Sequence, residues 1–377
     1  MKVTIEKGLL GQVTSIVQRA ASTKDAMPAL SALSIVASDS GLSFSATDLE
    51  IGIRKQIKDV NIQQEGKALV NARYFADLVR YLPDCEITLD LDTEKSKLHV
   101  LYGRSSSSLN LYNDEDFPEL PLTKLKKVCA LPQGVLKEAI KKTAFAAATN
   151  HFKPVFTGIL FDFEDGSLKV VASDTHRLAF NLIENVQPQS KVDKLVIPAR
   201  TVQELSRILE DGEEEINIGL VENNIVFYNE ENGFYFLSRL IEGQYPNYNQ
   251  VIPKEFINNY LIDAAQMANS LERAALMPTD LKAIKHVQMD FRQEEVVLSA
   301  FSEKMGEMTE VVDNISCETD KTIKVAFNTR YLLDIIKILQ GENEKIKIKL
   351  TGAMSPAVIH NPESENYIYV LVPLRTG

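Results

Sequence analysis

Cysteine is scarce in this chain: Cys85, Cys129 and Cys317 stand far apart with no CxxC pair. That excludes a disulfide framework and a thiolate zinc site, and leaves three buried or incidental thiols. Long apolar runs are lacking too. Nowhere do eighteen apolar residues follow one another, and the opening MKVTIEKGLLGQ has no continuous apolar stretch. Neither membrane insertion nor export is therefore expected, and the cytoplasm is the default. No low-complexity tract signals disorder, and no metal or cofactor is expected. Positive charge is in deficit, with 41 Lys and Arg against 52 Asp and Glu for a net charge of −11. A conventional DNA-binding domain has the opposite balance.

What is present is repetition. One thirteen-residue sentence occurs three times, as VNARYFADLVRYL from Val70, IPARTVQELSRIL from Ile197 and FNTRYLLDIIKIL from Phe327. The spacing of about 130 residues marks three copies of one unit. Each copy opens on a cation (Arg73, Arg200, Arg330), follows with an acid (Asp77, Glu204, Asp334) and then a second cation (Arg80, Arg207, Lys337). Phe75, Leu78, Val79 and Leu82 fall on one stripe of an amphipathic helix, which turns Arg73 and Arg80 to the opposite face. A strict apolar/polar alternation follows in each copy, at Ile87 to Leu91, Ile216 to Leu220 and Ile346 to Leu350, and reads as half-buried strands. Upstream lie LSFSATDLEIGI from Leu42, LKVVASDTHRLAF from Leu168 and the worn VVLSAFSEKMGEM from Val296. A further helix opens each unit, at LLGQVTSIVQRAA, VLKEAIKKTAFAAA and AQMANSLERAAL.

The expected class is α+β, with two helices per unit packed on antiparallel sheets and domains at 1–122, 123–250 and 251–377. Phe117-Pro118 and Tyr245-Pro246 close the first two units, with PELPLTKLKK and PNYNQVIPK read as extended linkers. A length of 377 residues is long for one core, and a third of it suits a domain. The acidic clusters NDEDFPE, EDGEEE and GENE fall in turns and strand ends, whereas the basic pairs sit on helices. An acidic exterior with a basic interior would hold DNA only by wrapping round it. Local ion pairing within each helix is the plainer alternative, and threefold recurrence argues against it.

Asp174 and His176, with Ser173 beside them, invite an acid–base or nucleophilic reading. No GxSxG elbow or glycine-rich phosphate loop lies nearby. The first unit carries Thr47 and Asp48 at the matching positions but Glu50 in place of the histidine, so the aspartate is read as structural and no catalytic residue is assigned.

The three units, SDTHRLA from Ser173, the ARYF and PAR helix starts and the terminal YVLVPLR together resemble the bacterial DNA polymerase III beta subunit, the replication sliding clamp, over the whole chain. The resemblance implies three clamp domains per chain and a head-to-tail homodimer closed into a ring, helices inside, round double-stranded DNA without sequence preference. On this reading Lys24, Asn150 and Lys153 lie in channel-facing loops, and Lys137, Lys141 and Lys142 add charge to Arg73, Arg80, Arg200, Arg207, Arg330 and Lys337. Pro154 and Val155 stand where the family often has aromatics, so base stacking is not expected here. The resemblance also implies a cleft for short motifs of the replicative polymerase's alpha-type subunit, the clamp loader and repair proteins. Its residues would be Phe156, Thr157, Ser173, Thr175, His176, Arg177, Leu178, Pro246, Gln250 and Val251, then Asn328, Tyr331, Met354, Pro356, Val370, Leu371, Val372, Pro373, Leu374 and Arg375. Thr175, commonly Gly, and Gln250 depart from the family pattern. The dimer contact would take RSSSSLNLY from Arg104, with Ser107 and Leu109, and Tyr74 in one copy against Leu276, Met277 and SEKMGE in the other. Ser107 is small there, which implies a more polar interface. The alternative is a triplicated protein-interaction scaffold without DNA.

Overall fold

A computed structural model describes residues 1–23, 27–113, 117–189, 192, 194–277, 285–317 and 321–375. Lys24 and the 114–116 part of the first acidic cluster lie outside the described residues, as do Thr376 and Gly377. Six helices are described: α1 (Lys7–Val17), α2 (Ala72–Tyr81), α3 (Gln133–Thr143), α4 (Ala199–Ser206), α5 (Ala264–Ala275) and α6 (Thr329–Gln340). None among the described residues is long and apolar enough to cross a membrane. The repeated sentence is a strand end, a cap and a helix. Asn71 and Asn328 finish strands and accept N–H bonds from the first turns of α2 and α6, and Asp263 does the same for α5. The middle copy departs from the expectation. α4 stops at Ser206, so Arg207 stands in the turn beyond it, where its N–H reaches the Glu204 carbonyl at 3.2 Å.

The chain separates into two compact units. The first comprises 1–137, 187–192 and 200–240, and the second 138–186, 193–199 and 241–377. All strand pairings among the described residues are antiparallel. The first unit holds a five-stranded sheet in the order Asn61–Gln64, Lys2–Glu6, Glu86–Asp92, Lys97–Tyr102, Ser105–Asn110. Its eight-stranded sheet runs Lys126–Pro132, Glu215–Val221, Asn224–Asn229, Phe234–Arg239, Ile51–Ile57, Gly41–Thr47, Ala32–Ser38, Gly66–Asn71. In the second unit a nine-stranded sheet joins Arg177–Ile183 to Tyr367–Leu371, and a four-stranded sheet has Gly306–Val312 at one edge and Ile323–Asn328 at the other.

Two pairings link repeats far apart in sequence. Phe236 lies opposite Ile53 and Leu237 opposite Gly52 in the first unit; Tyr369 lies opposite Ala179 and Val370 opposite Leu178 in the second. The chain thus cuts through its middle repeat because each large sheet belongs to two repeats at once. Burial follows the alternation that the sequence predicts: Ile87, Leu89, Ile218 and Ile346 are fully inside. Phe75 and Val79 of α2 are fully buried with Leu82 nearly so. The second linker differs from an extended connector. Tyr248–Gln250 is a 3₁₀ turn, and the buried Tyr248 hydroxyl donates to Asp162 Oδ2 at 2.9 Å.

Candidate functional site

Cations and helix starts come together in each unit. Arg73 and Arg200, both exposed, line one polar cavity of about 820 Å³ with Arg19, Ser15, Ser22 and Tyr112. Arg19, which the repeat did not single out, bonds Glu204 at 3.2 Å; its signal was a basic residue at the end of the first helix. None of the six helices among the described residues carries an acid in its first turn, so the positive end of the peptide dipole is left for an anion except at α1 and α5, whose cap positions hold the Glu6 and Asp263 carboxylates. Most of the other cations have local partners: Arg80 meets Asp77 at 3.0 Å, Lys137 meets Asp211 at 3.0 Å and Lys337 meets Glu272 at 2.6 Å. Arg207 pairs with Glu204. Solvent-facing pairs of this kind are worth about 0 to 1 kcal/mol, little enough for a phosphate to replace the carboxylate.

Lys142 is a correction. Its side chain is 12% exposed, held between Glu138 and Glu342 and above the Tyr367 ring. Burial opposes its charge, but the two carboxylates outweigh that and raise its pKa. It braces the second unit and is not a surface charge. Lys141 and Arg330 are exposed. Arg330 lines a second cavity of about 360 Å³ with Asn150, His151, His176 and Tyr331. Beside it Phe152 is 85% exposed, stacked on His151 at 4.4 Å with the Lys153 ammonium 5.9 Å from its ring centre. The sequence reading looked for an aromatic at Pro154 and Val155 and passed over this one. Its signal was an apolar ring set between His and Lys in a polar loop.

The Asp174 turn is structural in its geometry. Asp174 Oδ1 accepts from the N–H groups of His176 and Arg177, both at 3.0 Å, and Oδ2 accepts from Arg177 Nε at 3.0 Å. Ser173 Oγ donates to the Arg177 carbonyl at 2.7 Å, so hydroxyl and carboxylate are both committed to the backbone. The guanidinium of Arg177, 9% exposed, also donates to Asp334 at 2.8 Å and to the Phe145 carbonyl at 2.6 Å, and stacks 4.0 Å over Tyr331. Burial opposes its charge, yet Tyr369, Asp334 and Asp174 hold its pKa above the ordinary value.

An apolar cleft opens beside that arginine. It encloses about 510 Å³ and is lined by Phe156, Ser173, Thr175, Arg177, Leu178, Pro246, Gln250, Val251, Pro356, Val370 and Val372 among the expected residues. Tyr245, Asn247, Tyr248 and Pro253 also line it and were missed, because nothing in the linker's composition showed that it folds back as a wall. Thr157, His176, Asn328, Tyr331, Met354, Leu371, Pro373, Leu374 and Arg375 do not line this cavity. Asn328 caps α6 and Leu371 is fully buried in its strand, so both serve the fold. Met354 is 59% exposed. The terminal segment is pinned, with the Val372 N–H on the His176 carbonyl at 2.9 Å and the Leu374 N–H on the Ala326 carbonyl at 2.7 Å.

Three family models match in series: DNA polymerase III beta subunit, N-terminal domain over residues 1–121, central domain over 130–247 and C-terminal domain over 249–375. The chain belongs to the DNA polymerase III beta subunit family. The "Beta sliding clamp" of Halalkalibacterium halodurans is 31% identical over the full length of both chains, and that of Bacillus subtilis 29%. The crystal structure of the DNA polymerase sliding clamp from Bacillus subtilis superimposes with a TM-score of 0.91 at 28% identity, covering both chains entirely.

In this beta-subunit chain the residues expected at a dimer contact divide sharply. Tyr74 is 62% and Leu276 78% exposed, whereas Leu109 is 5% exposed and points into its sheet. Met277 is half-buried, and Ser107 is half-buried with its hydroxyl 3.3 Å from that of Tyr102. Phe301 at 67% and Met305 at 72% exposure lie in the hairpin ending in the Gly306–Val312 edge strand. Phe301 falls in the worn repeat block VVLSAFSEKMGEM and is not among the contact residues expected from the sequence.

Proposed function

We propose that the chain is a DNA sliding clamp, a processivity factor that acts by encircling and tethering rather than by catalysis. The observation that carries this is the strand pairing repeated at the two links between repeats. Phe234–Arg239 pairs with Ile51–Ile57, and Tyr367–Leu371 pairs with Arg177–Ile183. The corresponding strands left over are Ser105–Asn110 and Gly306–Val312, each at the edge of its sheet. An open edge invites a further strand, and a second copy supplies the missing partner at both ends, so two copies close on each other. Tyr74, Leu276, Phe301 and Met305 supply apolar surface for that contact. Three domains, bounded near 122 and 250, contribute Arg73, Arg80, Arg200, Arg207, Arg330 and Lys337, with Lys137, Lys141, Asn150 and Lys153, to a phosphate-contacting surface. Phosphate contacts carry no base information, so the closed body slides.

The apolar cleft is the tether. Aliphatic and aromatic walls with a few polar groups at the rim suit the apolar anchors of an extended peptide. The partners are the replicative polymerase's alpha-type subunit, the clamp loader and other proteins bearing such motifs, and the site of action is the bacterial cytoplasm.

Sedimentation tests the closure and salt titration tests the surface. The chain is expected to run as a dimer at micromolar concentration. Reversing Arg73, Arg200 and Arg330 to Glu is expected to lower DNA association and flatten its dependence on salt together. A monomer, or an unchanged salt slope, contradicts the reading.

A further inference from the structure

The two strand pairings between repeats have the same register, and the open cleft lies beside the second. There Leu178 faces Val370 across the ladder, and both line the cavity of about 510 Å³. At the first, the pair in the same place is Gly52 and Leu237. Gly52 has no side chain, and Leu120 of the linker occupies the space: a methyl group added at residue 52 would lie 2.5 Å from Leu120 Cδ2. The linker is folded down to put it there. The Leu122 N–H turns back on the Leu120 carbonyl at 2.8 Å, and Leu122 and Leu125 pack against Val226, Tyr228 and Leu237. Phe117-Pro118 opens this segment as Tyr245-Pro246 opens the other. The same stretch of backbone therefore walls a cleft in one repeat and fills it in the other.

We propose that the first pairing is a second copy of the peptide cleft, occupied in cis by residues 118–125 with Leu120 as the anchor. Once vacated, it takes the same class of ligand, a short extended peptide with aliphatic and aromatic anchors. The inference rests on the peptide-binding reading of the open cleft. A tethered segment acts at an effective concentration on the order of millimolar, so a free peptide at micromolar concentration does not displace it. One chain then presents one site to a partner, so two motifs cannot occupy one protomer at once.

The test is titration of a fluorescently labelled peptide bearing a Gln followed by Leu and Phe anchors, using the full chain. The unaltered protein is expected to bind one peptide per chain. Leu120→Ala removes the anchor and is expected to bind two. Gly52→Ala keeps the anchor but denies it its seat, and is expected to do the same. No binding by the unaltered protein defeats the peptide reading of the open cleft, and this inference with it. One peptide per chain in either variant, with the circular dichroism of the native fold, overturns this inference alone. Should both variants unfold, methyl resonances of Leu120 in the unaltered chain decide. They are expected to shift when peptide is raised to several millimolar, about the effective concentration of a tethered segment, and Leu120 methyls unmoved beyond saturation of the open cleft overturn the inference.

Discussion

Residues 47–52 and 173–178 fold one turn twice and use it for different ends. In the first, Asp48 Oδ1 accepts from the N–H groups of Glu50 and Ile51 at 3.0 and 2.8 Å, and Thr47 Oγ1 donates to the Ile51 carbonyl at 2.8 Å. Asp174 and Ser173 reproduce each of these bonds, and Leu49 and Thr175 hold φ of 73° and 74° at the same corner. The next residues decide the use. Ile51 goes into the core at 3% exposure. Arg177, at the equivalent place, ties Asp174 to Asp334 on α6 and borders the cleft. A polar turn motif fixes the backbone cheaply, and the side chain one step later turns it into a core corner or a cross-brace beside a binding site.

Removing each aspartate separates the two uses most strongly. Asp174→Ala leaves the buried Arg177 short of one of its carboxylates, and is expected to cost about 3 to 5 kcal/mol. Asp48→Ala loses only turn bonds and should cost about 1 to 2 kcal/mol. Denaturant unfolding of both variants measures the difference, and equal losses would mean that Arg177 braces nothing.

These turns also show how far the sequence could be read. The shared Thr/Ser-Asp pair and the Glu50-for-His176 exchange are plain in the chain and correctly mark a structural aspartate. The repeat, the helices and the alternating strands are equally legible because hydrophobic period is a local signal. Arg177 was read as a cleft rim, and its role as a brace was hidden because Asp334 is 157 residues away. Tyr245 and Tyr248 were hidden for a related reason: a linker's prolines announce an extended chain, not the wall it folds against. Lys142 looked like its neighbour Lys141, and contacts with Glu342 and the Tyr367 ring, both remote in sequence, set it apart.

A smaller effect is expected at the cleft. Val251 is 51% exposed yet lines the cavity, so Val251→Ala should lower peptide affinity by about 1 kcal/mol, roughly fivefold to tenfold, with unfolding unchanged. Peptide titration checks it, and intact affinity would move the anchor site elsewhere.

The shared corner gives the next prediction. A β-branched residue at φ 74° is strained, and glycine is not. Thr175→Gly is expected to stabilise the protein by about 0.5 to 1 kcal/mol after the entropy glycine adds to the unfolded chain. Leu49→Gly should gain less. Thermal unfolding of the pair ranks them, and a loss at Thr175 would place its value in its contacts.

The smallest effect concerns pH. His360 is 2% exposed, its Nδ1 bonds the Asn361 carbonyl at 2.7 Å and its Nε2 has no partner. Nδ1 therefore carries the proton, and burial opposes the charge that a second one on Nε2 would bring. Burial accordingly lowers its pKa below 6.5. The unfolded chain binds that proton first, so stability is present above about pH 6.5 and is lost as pH falls through the folded value. His360→Gln should flatten unfolding free energy between about pH 7 and 5; an unchanged slope would assign the acid sensitivity to other groups.

Closure of two copies round DNA is most directly measured by loading the protein with a clamp loader onto a nicked circular plasmid and then cutting the circle once. The expected result is retention through gel filtration on the circle and loss of the protein from the linear product, because a closed ring leaves only by an end. Equal retention on circular and linear DNA would show attachment by surface contact alone and would contradict the account.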